Sequence, residues 1–312
     1  MSADRVVCSS CGSVWMSGSA VRLLDRSERC LRCGGELRLA RGARAPDDAV
    51  VGIAGASGPV GRAVASRLEG LGVPRRLVVA DALPADQSSL SRALEGVKAL
   101  VLVDFPQVSA IDAARAAGVE RLVYVSELGA DADATHTAAR RHFEAEERAR
   151  TTGMPATILR PSLHLDLLPT LCSPDGVLRS AAADGRVASV SRGDLADVAV
   201  AALTRDGHVG RTYDVTGPDS QTMEDIARHL SVASGRRVSY VRETVDEARE
   251  SRIATGAAVW EAEDWSSCFG AIAAGEMDVV SDTVTTITGH EPETLADFLG
   301  RHPESLRHLA PA

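Results

Sequence analysis

Residues 50–68 read V-V-G-I-A-G-A-S-G-P-V-G-R-A-V-A-S-R-L. The apolar run Val50–Ala54 has the length and composition of a buried strand, and Val60, Val64 and Leu68 then recur at helical spacing. Gly55, Gly58 and Gly61 lie where strand gives way to helix. Each meets a physical need. The first permits a tight turn, the second lets a diphosphate approach the backbone, and the third lets the helix close onto the strand. N–H groups of the first helical turn then face the phosphates. The spacing G-x-x-G-x-x-G alone is a weak signal, and an ordinary strand-to-helix turn is the competing reading. Its place between strand and helix favours a dinucleotide loop, with Gly55, Ser57, Gly58, Pro59, Val60 and Gly61 as cofactor-binding residues.

On the carboxyl side the pattern repeats. Gly72-Val73-Pro74 breaks the first helix, and Leu77–Ala80 predicts a second strand ending at Asp81. Ser88–Gly96 reads as a short helix, Ala99–Val103 as a strand, Val108–Gly118 as a helix and Arg121–Val125 as a fourth strand. Thr137–Thr152 reads as a helix and Ala156–Leu159 as a fifth strand. Strands alternating with helices predict an α/β fold, a doubly wound parallel sheet. Asp81 falls twenty residues beyond Gly61, where a carboxylate can hold the adenosine ribose hydroxyls and favour NAD over NADP. Arg75 and Arg76 reverse that preference if one reaches a 2′-phosphate, and a plain turn-capping Asp81 is an equal alternative.

On the amino side, Cys8-x2-Cys11 and Cys30-x2-Cys33 stand eighteen residues apart. That is the spacing of a structural zinc site with four thiolates, a closed shell with no position open to substrate. Two disulfides are the alternative in an oxidising compartment. So short a segment needs a staple to fold, and strands at Ser13–Met16, Val21–Leu24 and Glu36–Leu39 would complete a zinc ribbon over residues 1–46. Residues 41–48, R-G-A-R-A-P-D-D, have linker composition, which places a second domain at 47–312.

The ribbon carries eight arginines against four acids, +4, whereas the rest of the chain stands at −13, giving −9 overall. A chain so acidic is a poor candidate for wholesale nucleic-acid or membrane-surface binding, and its ten aromatic residues leave few platforms for stacking bases. A protein or nucleic-acid partner for the ribbon stays open. With no apolar run near the ~20 residues of a membrane helix and no basic-then-apolar leader, a cytoplasmic protein is expected.

Several further stretches carry a family resemblance: G-A-S-G-P-V-G (55–61), L-V-Y-V-S-E-L-G-A (122–130), H-F-E-A-E (142–146), T-G-M-P-A-T-I-L-R-P (152–161), T-Y-D-V-T-G-P (212–218), A-I-A-A-G-E (271–276) and T-G-H-E-P-E-T-L-A-D-F-L (288–299). In order and spacing, residues 50–309 resemble the NmrA-like branch of the atypical short-chain dehydrogenases. The resemblance implies a Rossmann domain with a small carboxy-terminal substrate lobe, here about 162–190 and 218–312. It also implies NAD or NADP as cofactor. Members include NAD(P)H-dependent quinone reductases, acting on small apolar acceptors, and cofactor-sensing regulators that do no chemistry.

Two departures stand out. Only one strand fits between residues 72 and 88, so one βα unit is missing; loss of the outermost strand would leave Leu77–Ala80 beside Val50–Ala54. The Y-x-x-x-K pair of ordinary short-chain dehydrogenases is also absent, and Lys98 is the only lysine. By similarity His142 stands near the nicotinamide ribose, where an imidazole can donate to a ribose hydroxyl or a quinone oxygen; a helix-surface histidine is the alternative. Tyr124 and Ser126, at the carboxyl end of a strand, complete the candidate catalytic set. Farther on, Asp194 reads as a helix N-cap, Thr222 with Asp225 as a capping box, and Trp260, Trp265 and Phe269 as one core stripe. Cys172 and Cys268 read as buried, inert thiols without a nearby partner.

Overall fold

Side chains that alternate between the two faces of short apolar strands build the central layer. The computed structural model describes residues 5–8, 14–16, 37–40, 50–78, 87–103 and 108–309. At the amino end, β1 (Arg5–Cys8), β2 (Val14–Met16) and β3 (Leu37–Ala40) form an antiparallel sheet in the order β2-β1-β3. The strand at Arg5–Cys8 is additional to those expected, and Val21–Leu24 lies outside the described residues.

The main sheet contains β4 (Val50–Ala54), β5 (Arg75–Val78), β6 (Val97–Leu102), β7 (Arg121–Val125), β8 (Ala156–Pro161) and β11 (Thr212–Val215). All pair in parallel, in the order β11-β8-β7-β6-β4-β5. Among the described residues only β5 lies beyond β4, paired directly with it, as expected of Leu77–Ala80 beside Val50–Ala54. The strand starts two residues earlier than expected. Pro74 already accepts from the Val51 N–H at 3.0 Å, which brings Arg75 into register with Val51. Leu77, on this open edge, is 52% exposed.

Helices cover both faces. Val60, Val64 and Leu68 of α1 (Pro59–Gly70) pack with the helix at Arg192–Thr204 against Val51, Ile53, Val101, Val123 and Val125. The opposite face holds α2 (Gln87–Ala93), α3 (Val108–Ala116) and α4 (Thr137–Thr151), which cover Leu100, Leu102, Leu122 and Tyr124. In the order of the chain the Arg192–Thr204 helix is α5.

Between β8 and β11 come β9 (Val177–Ser180) and β10 (Arg186–Val187), and after β11 come β12 (Gln221–Thr222) and β13 (Ser239–Arg242). β9 pairs in parallel with β13, and β10 antiparallel with β12. Around them α6 (Met223–Ser234), α7 (Val245–Ala254), α8 (Val259–Ala273), α9 (Thr283–Thr288) and α10 (Leu295–Arg301) follow in turn. A separate core centred on Leu165, Leu168, Ile226, Leu230, Phe269 and Ile272 holds most of this region together.

Ser191, not the expected Asp194, caps α5. Its hydroxyl accepts from the Asp194 N–H at 2.9 Å, and the Asp194 carboxylate instead accepts from the Glu293 N–H. The expected aromatic stripe is also broken: Trp260 is 60% exposed, while Phe269 is buried and Trp265 packs edge-on against it. Five residues advance a helix by about 140° beyond a full turn, whereas the four from 265 to 269 advance it by only about 40°. The capping box at Thr222 and Asp225 is present, with both reciprocal bonds formed. Thr222→Ala should therefore destabilise the protein by about 1 kcal/mol, read as a lowered urea midpoint; an unchanged midpoint would mean the box contributes nothing.

Candidate active site

The strand order reverses between β4 and β6, and in open α/β sheets ligands bind outside the carboxyl ends of strands at such a point. The glycine loop sits there. Gly55 adopts φ +81°, a conformation L side chains rarely take, and its carbonyl accepts from the Gly58 N–H at 3.0 Å. A Cβ on Gly61 would lie 2.2 Å from the Gly55 oxygen and 2.8 Å from Ala56 Cα, so the helix closes against the turn only because no side chain intervenes. Gly58 is the N-cap residue of α1 and supplies no side-chain cap, with Pro59 next in line. The first turn thus presents uncapped N–H groups and the positive end of a twelve-residue helix. Ser57 and Pro59 are exposed, whereas the Val60 side chain is in the core, leaving only its backbone to face a ligand. A glycine cradle before an uncapped helix end fits a diphosphate.

Asp81 lies outside the described residues. Both arginines upstream of it are engaged: Arg75 pairs with Glu69 at 2.8 Å, and Arg76 donates to the carbonyls of Ala93 and Glu95. Of the four cysteines with zinc spacing, Cys8 ends β1, and Cys11, Cys30 and Cys33 lie outside the described residues.

Two strands across the sheet from β4, the sequence builds a ladder between β7 and α4. Residues two apart on a strand share a face, as do residues four apart on a helix. Tyr124 and Ser126 therefore project toward the side covered by α4, which presents His142 and Glu146 one turn apart. The Tyr124 hydroxyl lies 2.7 Å from His142 Nδ1, and the Ser126 hydroxyl donates to Glu146 Oε1 at 2.6 Å. The structure thus brings together Tyr124, Ser126 and His142 and adds Glu146. It adds Arg160 of β8 as well, whose guanidinium grips both Glu146 oxygens at 2.8 and 2.7 Å, with Arg150 at 2.8 Å from Oε2.

Glu146 is fully buried. Burial alone would push its carboxyl up, but the hydrogen bonds from Arg160 and Ser126 and the charges of Arg160 and Arg150 hold it below the usual carboxylate range. Burial, reinforced by Glu146 and Glu127, pushes the Tyr124 hydroxyl well above the ordinary tyrosine value, so it stays protonated. Burial also lowers His142, against the pull of Glu127 and Glu146, and favours the neutral ring.

Burial also decides the tautomer. Tyr124 is wholly buried; were it to accept from Nδ1–H, its own proton would have no partner in the core, at a cost of about 1–3 kcal/mol. It donates to Nδ1 instead, which leaves Nε2–H of His142 as the ring's remaining donor.

Sequence reasoning missed Glu146 and Arg160 as members of this network. The signal was the match of Y-x-S at 124–126 with H-x3-E at 142–146, two periods that bring the same four side chains face to face.

The chain is similar to known proteins in sequence and in fold. A sequence family described as NAD(P)H-binding matches residues 64–206. The chain is 35% identical to the (4-alkanoyl-5-oxo-2,5-dihydrofuran-3-yl)methyl phosphate reductase of Streptomyces griseus, over 81% of this chain and 98% of that one. It is 31% identical to quinone oxidoreductase 2 of Escherichia coli, over 72% of this chain and 79% of the relative. The crystal structure of that E. coli enzyme with NADPH superimposes with a TM-score of 0.70 at 26% identity, covering 80% of this chain and 99% of the other. The chain belongs to the NAD(P)H-binding, NmrA-like family of Rossmann oxidoreductases.

Proposed function

We propose that this protein is a reductase that moves hydride from a reduced nicotinamide dinucleotide to a small apolar acceptor such as a quinone. The observation that carries this reading is the side-chain-free cradle at Gly55, Gly58 and Gly61, opening onto an uncapped helix end. Relatives described as a quinone oxidoreductase and an NAD(P)H azoreductase support the choice of acceptor. When bound, the dinucleotide supplies the hydride; the chain supplies positioning and a hydrogen-bond donor.

In this reading the loop N–H groups hold the diphosphate, and Asp81 holds the adenosine ribose. Nε2–H of His142 donates to a nicotinamide-ribose hydroxyl or to the acceptor oxygen as negative charge develops there. Tyr124 fixes the tautomer that makes this donation available. Ser126 and Glu146, tied to Arg160, hold α4 and β7 in register, so His142 is presented at a constant depth.

The test is oxidation of NADPH and NADH by simple quinones, with 4-deuterated NADPH as a second substrate. A primary isotope effect on turnover is expected; quinone-independent oxidation at the same rate would refute the reading. His142→Ala should lower turnover by about 10²-fold or more. Tyr124→Phe, which frees the tautomer without removing the ring, should lower it about five- to tenfold, the equivalent of one hydrogen bond of about 1 kcal/mol. Equal turnover in both variants and the wild type would remove His142 from the mechanism.

Residues 1–46 are proposed to fold as a zinc ribbon on Cys8, Cys11, Cys30 and Cys33, separate from the domain at 47–312 with its small lobe. A closed tetrathiolate site does no hydride chemistry, so the role proposed for it is docking to a protein partner. With β5 at the sheet edge among the described residues, one second reading is a cofactor-sensing member of the family, because a shortened edge would take part of the adenine wall with it. Binding of dinucleotide without oxidation by any quinone would select it. Among the described residues no helix is long and apolar enough to cross a membrane.

A further inference from the structure

We propose that Glu127, His136 and Cys268 form a binding site for a divalent transition-type cation, with zinc the best match, between the carboxyl end of the sheet and α8. Three separate elements bring these residues together. Glu127 follows the end of β7 by two residues, His136 is the N-cap residue of α4, and Cys268 lies on α8. A carboxylate oxygen, an imidazole nitrogen and the thiol sulfur all lie within 4.8 Å of one another. Glu127 Oε1 and His136 Nδ1 are 3.0 Å apart. His136 and Cys268 are buried, and Glu127 is half-buried.

The donor set selects the metal. Magnesium and calcium take oxygen ligands, whereas one carboxylate, one imidazole and one thiolate suit zinc and its neighbours. Three protein ligands also leave a fourth position open.

An independent feature is the support behind the histidine. The other ring nitrogen, His136 Nε2, faces Asp264 Oδ2 at 3.7 Å. Asp264 is itself held by the Thr137 hydroxyl and by Arg141 at 2.9 Å. A carboxylate behind a ligating histidine orients the ring and raises its basicity, as in many zinc sites.

The expected inert thiol without a neighbour is, in the structure, a thiol facing a histidine and a carboxylate.

The measurement is metal content and cobalt substitution in the full-length chain, made on wild type, on a variant with all four ribbon cysteines changed to Ser, and on Cys268→Ser. The ribbon-cysteine variant should retain one equivalent of zinc. Its cobalt form should show a thiolate-to-cobalt charge-transfer band that vanishes when Cys268→Ser is added. In the otherwise wild-type chain, Cys268→Ser should hold one equivalent less than its parent. Glu127→Gln, nearly isosteric, should weaken cobalt binding, and Asp264→Asn should weaken it by about 10- to 100-fold. Equal metal content with and without Cys268 would overturn the proposal, as would cobalt affinity indifferent to Glu127→Gln; the three residues would then be an ion pair beside a thiol.

Discussion

Gly61→Ala is expected to abolish measurable dinucleotide binding, a loss of about 100-fold or more in affinity. The added methyl would have to sit 2.2 Å from the Gly55 oxygen and 2.8 Å from Ala56 Cα, both backbone atoms with no rotamer to yield. Relief requires α1 to retreat by about 1 Å, and a misplacement of that size at a positioned site can cost about 10²-fold. The same overpacking should lower stability by about 1–3 kcal/mol. Nicotinamide fluorescence reads the first effect and chemical denaturation the second. Wild-type affinity in a folded Gly61→Ala protein would show that the cradle does not hold the diphosphate.

Glu146→Ala should be the most destabilising single change in the strand–helix ladder, at about 3–5 kcal/mol. It removes an ion buried to 0% exposure and takes the acceptor from two nitrogens of Arg160 and from the Ser126 hydroxyl, while Arg150 keeps Glu147 and the Thr212 hydroxyl. Arg160 retains 22% of its side-chain exposure and can recover some hydration, which points to the lower end of that range. For a domain of this size the melting temperature should fall by about 6–15 °C. A calorimetric drop below about 2 °C would mean that the pair merely offsets its own desolvation. Glu146→Gln should recover part of the loss, because the amide oxygen can still accept from Ser126 and Arg160.

Much of the fold is legible in the sequence alone. The apolar runs at Val50–Ala54 and Arg121–Val125 coincide with strands residue for residue, because buried parallel strands tolerate little else. That a single strand lies beyond β4 among the described residues can be counted from chain length. Boundaries are less legible where backbone pairing, not side-chain pattern, decides them: β5 begins at Arg75 because the Pro74 carbonyl already pairs with Val51.

The site divides along the same line. Gly55, Gly58 and Gly61 stand out in the sequence; the positive φ at Gly55 and the helix closing on the turn at Gly61 are local demands that a residue without a side chain meets. Tyr124, Ser126 and His142 can be named singly, and the matching spacings Y-x-S and H-x3-E permit their partnership without dictating it. It depends on α4 lying over β7 in one particular register, which is a property of packing. Glu127 and Cys268 are far apart in the chain, and no spacing rule joins them. The single stripe expected of Trp260, Trp265 and Phe269 fails for an elementary reason: a five-residue step leaves the helix face.

The central claim is that this glycine cradle holds a reduced dinucleotide. Titration of the full-length chain into NADPH, and separately NADH, followed by nicotinamide emission, tests it most directly. Saturable binding of at least one of the two, at one site per chain and lost in Gly61→Ala, is the predicted result. A folded wild-type chain that leaves the emission of both unchanged, and that calorimetry shows to bind neither, would contradict it.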